Sequence, residues 1–395
     1  MKELRRVLVA HNAYQQRGGE DAVVEAEVAL LRAHGHAVHE YRRSNDDADR
    51  LSKPALAAQT VWSTRTVADM ARLFESFRPD VLHVHNTFPL ISPSVYWAAD
   101  RASVPVVQTL HNFRLICPQA MLLRNGKVCE DCVGKLPWRG VARRCYRGSV
   151  AQSGVLAGML TLHRAAGTWR DKVARYVALN GFCRDKFIQG GLPAAKLVVK
   201  PNFIDLPAFE AGPRAGFLFV GRLSEEKGIK VLAEALERAG KIMTRIVGAG
   251  PEQRRIDGLA GAQWLGAIGA EAVYRHMRSS QALIMPSIWY ENFPRTLVEA
   301  FACGLPVIAS RIGALPQLVA EGTTGLLFEP GNAADLASKL AWAHAHPERM
   351  AEMGVNARTE YEAKLTGAAN YKILIDVYTQ AESERRTSER RTPGP

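Results

Sequence analysis

Two acidic residues, Glu291 and Glu299, have the spacing in this 395-residue sequence that says most about chemistry. They lie in the segment SIWYENFPRTLVEAFACG, with seven residues between them. The apolar run 282–285 precedes this segment and is typical of a buried strand. Pro294 stands where a helix would begin, and Gly304 stands where it would end. We therefore expect Glu291 in a loop and Glu299 inside the following helix.

This arrangement favours a ligand that carries both phosphate and hydroxyl groups. The free N–H groups of a helix N-terminus attract phosphate. Carboxylates repel phosphate, but they accept hydrogen bonds from sugar hydroxyls. The two glutamates around a helix start therefore indicate a ligand with a diphosphate in the middle and polyols at both ends.

Two further groups of residues follow predicted strands. Gly18 and Gly19 come after the first strand, and glycine lets backbone N–H groups approach a phosphate or an acceptor closely. Arg222 and Lys227 lie between a later strand and a helix, where two cations can neutralise the charge that builds on a departing diphosphate. The alternatives are an ordinary turn for the glycines and a salt-bridged loop for the cations.

These motifs depend on strands that alternate with helices through the whole chain. Such alternation is typical of parallel sheets covered by helices, and ligands of these sheets bind at the carboxyl ends of the strands. We expect an α/β protein with two Rossmann-like, doubly wound domains that face a central cleft. The predicted strands are 6–10, 36–41, 81–85, 104–110, 176–179 and 196–205 in the first half, and 216–220, 245–247, 263–265, 282–285, 306–309 and 325–328 in the second.

The motifs resemble, in the same order, those of the family 4 retaining glycosyltransferases, which have the GT-B fold. Glu291 and Glu299 resemble the Glu-x7-Glu motif of that family. The GGE stretch, the Arg222 and Lys227 pair and the GAGP stretch at 248–251 agree with it. The resemblance covers nearly the whole chain. It implies the fold and the type of reaction, but it says little about the substrate.

The resemblance also implies roles for individual residues. Glu291 would contact the donor sugar, Glu299 the ribose hydroxyls, and His111, at the end of a strand, would lie close to the transferred sugar. His111 and Glu291 are the candidate catalytic residues. The candidate donor-binding residues are Gly18, Gly19, Arg222, Lys227, Asn292, Phe293, Pro294 and Glu299.

A retaining reaction has two possible courses. A double displacement needs a carboxylate nucleophile, for which Glu291 could serve. The family is instead thought to react on one face of the sugar, with the leaving diphosphate accepting the acceptor's proton. On that course catalysis consists of positioning and electrostatic stabilisation, and we expect no catalytic cofactor or metal.

The predicted domains are residues 1–205, with an irregular insertion rich in cysteine and arginine at 114–148, and residues 206–368, which would bind the donor. A helix at 369–381 is expected to cross back to the first domain, as is usual in the GT-B fold that the sequence resembles. The tail 382–395 has no apolar anchor and is predicted to be disordered.

Four cysteines in the insertion have the spacing C-x11-C-x2-C-x12-C. A CxxC pair with flanking cysteines predicts a structural, tetrahedral zinc site. The alternatives are four independent small residues or a redox pair. The candidate ligands are Cys117, Cys129, Cys132 and Cys145.

The formal net charge of +12 is spread unevenly, because no Asp or Glu occurs between Cys132 and Arg170. Arginines and lysine alternate there with Trp138, Tyr146 and Trp169, which suits an anionic membrane surface. A solvated basic face and a nucleic-acid site are the alternatives. We expect no nucleic-acid partner, since no binding motif accompanies the charge.

Neither a membrane span nor a signal peptide is predicted, because the apolar runs are short and the N-terminus soon turns polar. The expected location is the cytoplasm, peripherally on the cytoplasmic face of the inner membrane.

The expected function is a metal-independent retaining hexosyl- or N-acetylhexosaminyl-transferase of cell-surface polysaccharide assembly. Its partners would be a nucleotide-sugar donor and a lipid-linked or saccharide acceptor. The alternatives are a nucleotide-sugar 2-epimerase of the same fold, a nucleic-acid-binding protein without enzymatic activity, and an inactive scaffold.

Overall fold

The computed structural model describes residues 5–15, 18–207 and 212–391, and for residues 386–391 it describes the backbone alone. These residues divide into two compact units, each with its own parallel sheet. The first unit comprises Met1–Met121, Glu130–Pro201 and Asn370–Pro395, and the second comprises Leu122–Cys129 and Asn202–Ala369.

Strands and helices alternate along most of the chain. The strands are β1 (Arg6–Ala13), β2 (Ala37–Ser44), β3 (Val81–Val84), β4 (Val106–Leu110), β5 (Leu123–Arg124), β6 (Lys127–Val128), β7 (Arg175–Ala178), β8 (Leu197–Val199), β9 (Phe217–Val220), β10 (Thr244–Val247), β11 (Ala262–Gly266), β12 (Ala282–Met285), β13 (Val307–Ser310) and β14 (Gly325–Phe328). The helices are α1 (Gly19–Ala33), α2 (Lys53–Val61), α3 (Thr64–Phe77), α4 (Ser94–Arg101), α5 (Trp138–Ala142), α6 (Val150–Ala165), α7 (Thr168–Asp171), α8 (Gly181–Gln189), α9 (Ile229–Ala239), α10 (Ala270–Ser279), α11 (Arg295–Ala302), α12 (Leu315–Leu318), α13 (Ala333–Ala345), α14 (Pro347–Lys364) and α15 (Gly367–Arg391).

The sheet of the first unit has the strand order β2-β1-β3-β4-β7-β8, and its neighbouring strands are parallel. Its inner strands β1, β3, β4 and β7 are mostly buried, as expected for a sheet covered on both faces, whereas the edge strands β2 and β8 are partly exposed. Helices α1 and α15 pack against it and close the core. This core contains Val7, Val9, Val24, Val28, Leu31, Val81, Val107, Val177, Leu374, Val377, Tyr378 and Ala381.

The sheet of the second unit has the order β11-β10-β9-β12-β13-β14 and is also parallel. Counted from its own first strand, this is the order 3-2-1-4-5-6 of the Rossmann fold, in which the order reverses beside the first strand. That reversal lies between β9 and β12, and the loops that follow these two strands carry Lys227 and Glu291.

Local sequence explains where several helices start. The side chains of Ser63, Ser149, Asn180 and Asn332 each accept a hydrogen bond from a backbone N–H in the first turn of α3, α6, α8 and α13. Such caps satisfy backbone donors that have no partner within the helix. Pro294 precedes α11, as its position in the sequence predicts.

The structure differs from the predicted boundaries in three places. The units divide at Pro201 rather than at residue 205, and the short β5–β6 hairpin of the insertion belongs with the second unit. The tail predicted to be disordered at 382–395 is helical as far as Arg391, and residues 392–395 lie outside the described residues. The physical reason is that Glu382 and Glu384 form ion pairs with arginines that are distant in sequence, so α15 has polar anchors in place of apolar ones.

None of the helices among the described residues is long and apolar enough to span a bilayer.

Candidate functional site

The loops that follow β9 and β12 are joined by an ion pair between Lys227 and Glu291. The Lys227 Nζ donates to the Glu291 Oε1 over 2.6 Å, and the Ser287 hydroxyl donates to the same oxygen over 2.7 Å. Burial raises the pKa of the Glu291 carboxyl, but the ammonium and the hydrogen bonds outweigh this and leave the pKa below its ordinary value. Glu291 is therefore a buried carboxylate that is ionised at neutral pH.

Glycines let three loops of the second unit approach at the level of the backbone. Gly228 has φ 73°, and a Cβ added there would lie 1.8 Å from the carbonyl oxygen of Pro286, just after β12. Gly248 has φ 133°, and a Cβ there would lie 1.9 Å from the carbonyl oxygen of Gly221. Only glycine fits at these positions. The loops after β9, β10 and β12 are thus held together at the carboxyl end of the sheet.

Glu299 lies within α11, as its spacing from Glu291 predicts. Its Oε1 accepts a hydrogen bond from the Arg295 Nε over 2.9 Å, and the Tyr274 hydroxyl lies 3.5 Å from the same oxygen. Burial raises the pKa of Glu299 above its ordinary value, and the Arg295 guanidinium opposes that shift without cancelling it. Arg295 thus occupies one oxygen of the carboxylate that is predicted to bind ribose.

The remaining predicted donor residues of this unit surround the start of α11 and the loop after β9. Phe293 and Pro294 are buried, and Asn292 is half-buried. Arg222 is exposed, and it makes no ion pair with any residue that the structure describes. The second unit therefore presents one paired cation, one exposed cation and a helix N-terminus along one sheet edge, which together can bind a diphosphate.

In the first unit, Gly18 forms the N-cap of α1. Its backbone N–H donates to the Asp21 Oδ2 over 2.8 Å, and the Asp21 Oδ1 lies 2.8 Å from the His11 Nε2. A Cβ added at Gly19 would meet no described atom within 4 Å. Packing among the described residues therefore does not require glycine at position 19, and the exposed backbone there is open to a ligand.

Glu20, which follows these glycines, is a residue that the sequence analysis did not single out as functional. Its Oε2 accepts hydrogen bonds from the Tyr14 hydroxyl over 2.9 Å and from the Asn112 amide over 3.4 Å. Its Oε1 is buried and has no hydrogen-bond partner among the described atoms. Burial raises the pKa of Glu20 to about 7, against its ordinary value of 4.5. In the sequence, the GGE stretch is the signal that could have pointed to Glu20 as a functional residue.

His111 follows β4 and belongs to a row of imidazoles. Its Nε2 lies 2.9 Å from the Nδ1 of His85, and the two rings are stacked. His83, also on this row, binds the Tyr378 hydroxyl and the Thr109 hydroxyl, both over 2.8 Å. Burial lowers the pKa of His83 to about 4 and places those of His85 and His111 well below the ordinary range. The row is therefore neutral at pH 7.

Beneath this row lies a buried ion pair that was not predicted. The Lys200 Nζ donates to the Glu27 Oε1 over 2.5 Å and to the Asn370 Oδ1 over 2.9 Å. The Glu27 Oε2 lies 3.7 Å from the His83 Nδ1 and 3.6 Å from the His85 Nε2. Nothing in the local sequence around position 27 or 200 marks them as partners, because they are 173 residues apart.

Among the residues described, only Glu27, His83 and His85 bring together three potential metal-ligand atoms within 4.8 Å. A divalent ion there would lie beside the Lys200 ammonium, which already supplies the positive charge that Glu27 needs. Electrostatic repulsion between the ion and the ammonium therefore disfavours a metal at this position.

The zinc site predicted from the four cysteines stays a prediction. Cys117, Cys132 and Cys145 belong to the first unit and form no such group of three, whereas Cys129 directly follows β6 of the second unit.

Two family models match the chain, one for each unit. Residues 12–202 match the glycosyl transferase 4-like domain, and residues 209–360 match glycosyl transferases group 1. The first match contains the GGE stretch and His111, and the second contains Arg222, Lys227, Glu291 and Glu299.

Curated relatives agree with these matches. The D-inositol 3-phosphate glycosyltransferase 2 of Catenulispora acidiphila is 26% identical over 359 residues, which cover 84% of this chain and 78% of the relative. The D-rhamnosyltransferase WbpZ of Pseudomonas aeruginosa is 34% identical over 163 residues, which cover 39% of this chain and 42% of that one. The second alignment thus spans less than half of either protein.

Solved structures share the fold. Sucrose-phosphate synthase from Thermosynechococcus elongatus superposes with a TM-score of 0.70 at 18% identity, covering 96% of this chain and 100% of that one. Anabaena Alr3699/HepE, in complex with UDP-glucose, superposes with a TM-score of 0.64 at 17% identity. The superposition covers 95% of this chain and 100% of that one. With two Rossmann-like units and both family matches, the chain belongs to the group 1 glycosyltransferases and is a glycosyltransferase of the GT-B fold.

Proposed function

We propose that this glycosyltransferase moves a hexosyl or N-acetylhexosaminyl group from a nucleotide-diphosphate donor to a lipid-linked or saccharide acceptor, with retention of configuration. The reaction would take place at the cytoplasmic face of a membrane and contribute to cell-surface polysaccharide. The observation that carries the proposal is the contact between Lys227 and Glu291, with Arg222 and the N-terminus of α11 at the same sheet edge.

Each group has a chemical task in this proposal. Lys227 and Arg222 stabilise the diphosphate as its negative charge grows in the transition state. Glu291, ionised beside Lys227, accepts hydrogen bonds from hydroxyls of the donor sugar. Glu299 accepts hydrogen bonds from the ribose. The acceptor's proton passes to the leaving diphosphate, so none of these carboxylates needs to act as a base and no metal is required.

Two further observations support a nucleotide-sugar donor. The second unit has the Rossmann strand order, whose ligands bind at the carboxyl ends of the strands, where these residues lie. The structural neighbour Alr3699/HepE was solved with UDP-glucose. His111, as a neutral imidazole, is proposed to hydrogen-bond to the transferred sugar in the first unit.

The test is thermal unfolding of the purified protein with a panel of nucleoside diphosphates and nucleotide sugars, with and without a chelator. A ligand that binds only the folded state raises the melting temperature. We expect one base to stabilise the wild type without metal, and Lys227→Ala and Glu291→Ala to lose that effect. Lys230→Ala is the matched control, because this exposed lysine lies on α9, three residues after Lys227.

The proposal fails if no nucleotide raises the melting temperature, or if Lys230→Ala loses the effect as fully as Lys227→Ala. Once the donor is known, NMR of the product's anomeric proton tests retention. An inverted product would overturn the stereochemical part of the proposal while leaving the donor assignment intact.

A further inference from the structure

Helix α6 in the first unit presents an outward face made of apolar residues. Ala151, Gly158, Leu162 and Ala165 are exposed, and Val155 is half-exposed. At about 100° per residue these positions form a single stripe along the helix. The only charged residue of α6 is Arg164, which binds backbone carbonyls, and Leu162 keeps 53% of its surface exposed. A helix face in contact with water alone is normally polar.

The segment that leads into α5 extends this apolar stripe. Leu136 and Trp138 are 61% and 62% exposed, the highest fractions among the large apolar residues of the described first unit. Gly154 on α6 lies against Val141 on α5. This contact, and the hydrogen bond from the Arg164 guanidinium to the Lys135 carbonyl oxygen, place α5 and the segment before it alongside α6. Trp138 and Leu162 are therefore exposed on neighbouring elements.

Helix α2 extends the same surface on another side. It packs against α6, and Trp62, just after its last residue, stacks on the His163 ring of α6. Apart from Lys53, its exposed residues are the apolar Pro54, Ala55 and Ala58. Helices α2 and α6 together contain no acidic residue. We call the exposed apolar residues of α2, α5, α6 and the segment before α5 the apolar surface.

Exposed cations occur on the same elements as the apolar surface and on the segments next to them in the sequence. Lys53, Lys135, Arg144 and Arg147 are exposed. Arg139 and Arg143 share one acidic partner, Asp131. No other acidic residue occurs between Asp131 and Asp171. The charge of this region is therefore strongly positive around an apolar centre.

We propose that the apolar surface binds the interface of a bilayer that contains anionic lipids, with Trp138, Leu136 and Leu162 entering the headgroup region and the surrounding cations contacting lipid phosphates. Exposed apolar side chains among cations are the two components of interfacial binding. A nucleic acid would use the cations alone and leave the apolar centre in water. This inference deepens the proposed function, because it rests on an acceptor that is lipid-linked and held at such an interface.

The experiment is flotation of the full-length protein with vesicles of phosphatidylcholine alone and with vesicles of phosphatidylcholine and phosphatidylglycerol in equal amounts. We expect binding to the anionic vesicles that weakens with salt. Trp138→Glu with Leu162→Glu should lower the partition coefficient by about tenfold or more. Arg144→Glu with Arg147→Glu should lower it about fivefold or more for each charge reversed.

Matched controls carry the same changes on the second unit. Val355→Glu alters a side chain that is 68% exposed, and Lys230→Glu with Arg349→Glu reverses two exposed cations. Both controls should bind vesicles like the wild type. Unfolding transitions and nucleotide-induced stabilisation should be unchanged in every variant, which separates loss of this surface from loss of the donor site.

Three results would overturn the inference: no binding to anionic vesicles, equal binding by the Trp138 and Leu162 variant, or binding to a nucleic acid that the same variants abolish while vesicles stay unbound. Absence of nucleotide binding by a protein that still floats with vesicles would instead contradict the proposed function alone.

Discussion

At the scale of single residues, Lys227 cannot be assigned to the diphosphate alone, because in this structure it donates to Glu291. Binding of a diphosphate would attract the ammonium while Glu291 gains hydroxyl groups from the sugar. As the Lys227 ammonium moves from Glu291 to the diphosphate and Glu291 turns to the sugar hydroxyls, each of the two charged groups would keep a partner. An isolated buried carboxylate is costly, so on the proposed function we expect the sugar and the diphosphate to be recognised together.

Glu20 gives a prediction about pH. Its pKa is about 7 in the folded protein and ordinarily 4.5, so the folded state disfavours the ionised form. The stability contributed by this group therefore falls as the pH rises from 4.5 to 7, and it stays lost at higher pH. Glu20→Gln cannot ionise. We expect the variant to gain about 2 kcal/mol or less relative to the wild type between about pH 5 and pH 8, measured by urea unfolding.

The control for this experiment is Glu75→Gln, which removes an exposed carboxyl on α3. Its stability relative to the wild type should not change with pH. A Glu20→Gln variant whose difference from the wild type is the same at both pH values would contradict the raised pKa.

At the scale of elements, Gly228 sets the start of α9 and the distance between two loops. Ala at this position would need a left-handed backbone and would also meet the Pro286 carbonyl oxygen. We expect Gly228→Ala to lower the free energy of unfolding by about 3 kcal/mol or more. Gly331→Ala, at φ 77° with open space around it, should lose only about 1 kcal/mol. Equal losses in urea titrations would show that the close approach has no energetic consequence.

The ion pair of Lys200 and Glu27 links α1, the end of β8 and α15. Lys200→Met would leave a buried carboxylate unpaired, so we expect a loss of about 3–5 kcal/mol in chemical unfolding. Replacing both residues, with Glu27→Leu and Lys200→Met, should recover most of it. The exposed pair Lys230 and Glu234 is the control, and its removal should change stability by less than about 1 kcal/mol. A double variant as unstable as the single one would argue that the two residues act separately.

Elements defined by local pattern could be predicted from the sequence. The strands of the two six-stranded sheets are predicted because short apolar runs ending in glycine or polar residues have few other interpretations, whereas the β5–β6 hairpin is not. Glu299 is placed in α11 by Pro294 and Gly304, which mark the ends of that helix. The predictions did not include helices α2, α4, α5, α8 and α14. Helix α2 is apolar on its exposed side, so its sequence lacks the amphipathic pattern of a surface helix.

Pairings between distant residues could not be predicted in this way. Lys227 meets Glu291 across 64 positions, and Glu27 meets Lys200 across 173. Such contacts depend on strand order, which the local sequence leaves open. The zinc site stays a prediction for a related reason, since the spacing of four cysteines says nothing about the unit to which each belongs.

At the scale of the whole molecule, the first unit is completed by the last helix. Leu374, Val377, Tyr378 and Ala381 of α15 are part of its core, and the Tyr378 hydroxyl binds His83. A chain truncated after Ala369 should therefore lose the cooperative unfolding transition of the first unit, followed by near-ultraviolet circular dichroism. A chain truncated after Glu384 keeps these four residues and both anchoring glutamates, and it should retain that transition. Retention by the shorter chain would contradict the role of α15.

The return of α15 has a consequence for how the protein is made. The ribosome releases Met1–Pro201 first, but their core lacks a helix until Asn370–Pro395 has been synthesised. At 5–20 residues per second, the intervening second unit delays that helix by roughly 10–30 s. During this interval Asn202–Ala369 of the second unit can fold, while the nascent first unit exposes the sheet surface that α15 later covers. Chaperones that act on nascent chains would therefore be expected to bind the N-terminal part of this protein.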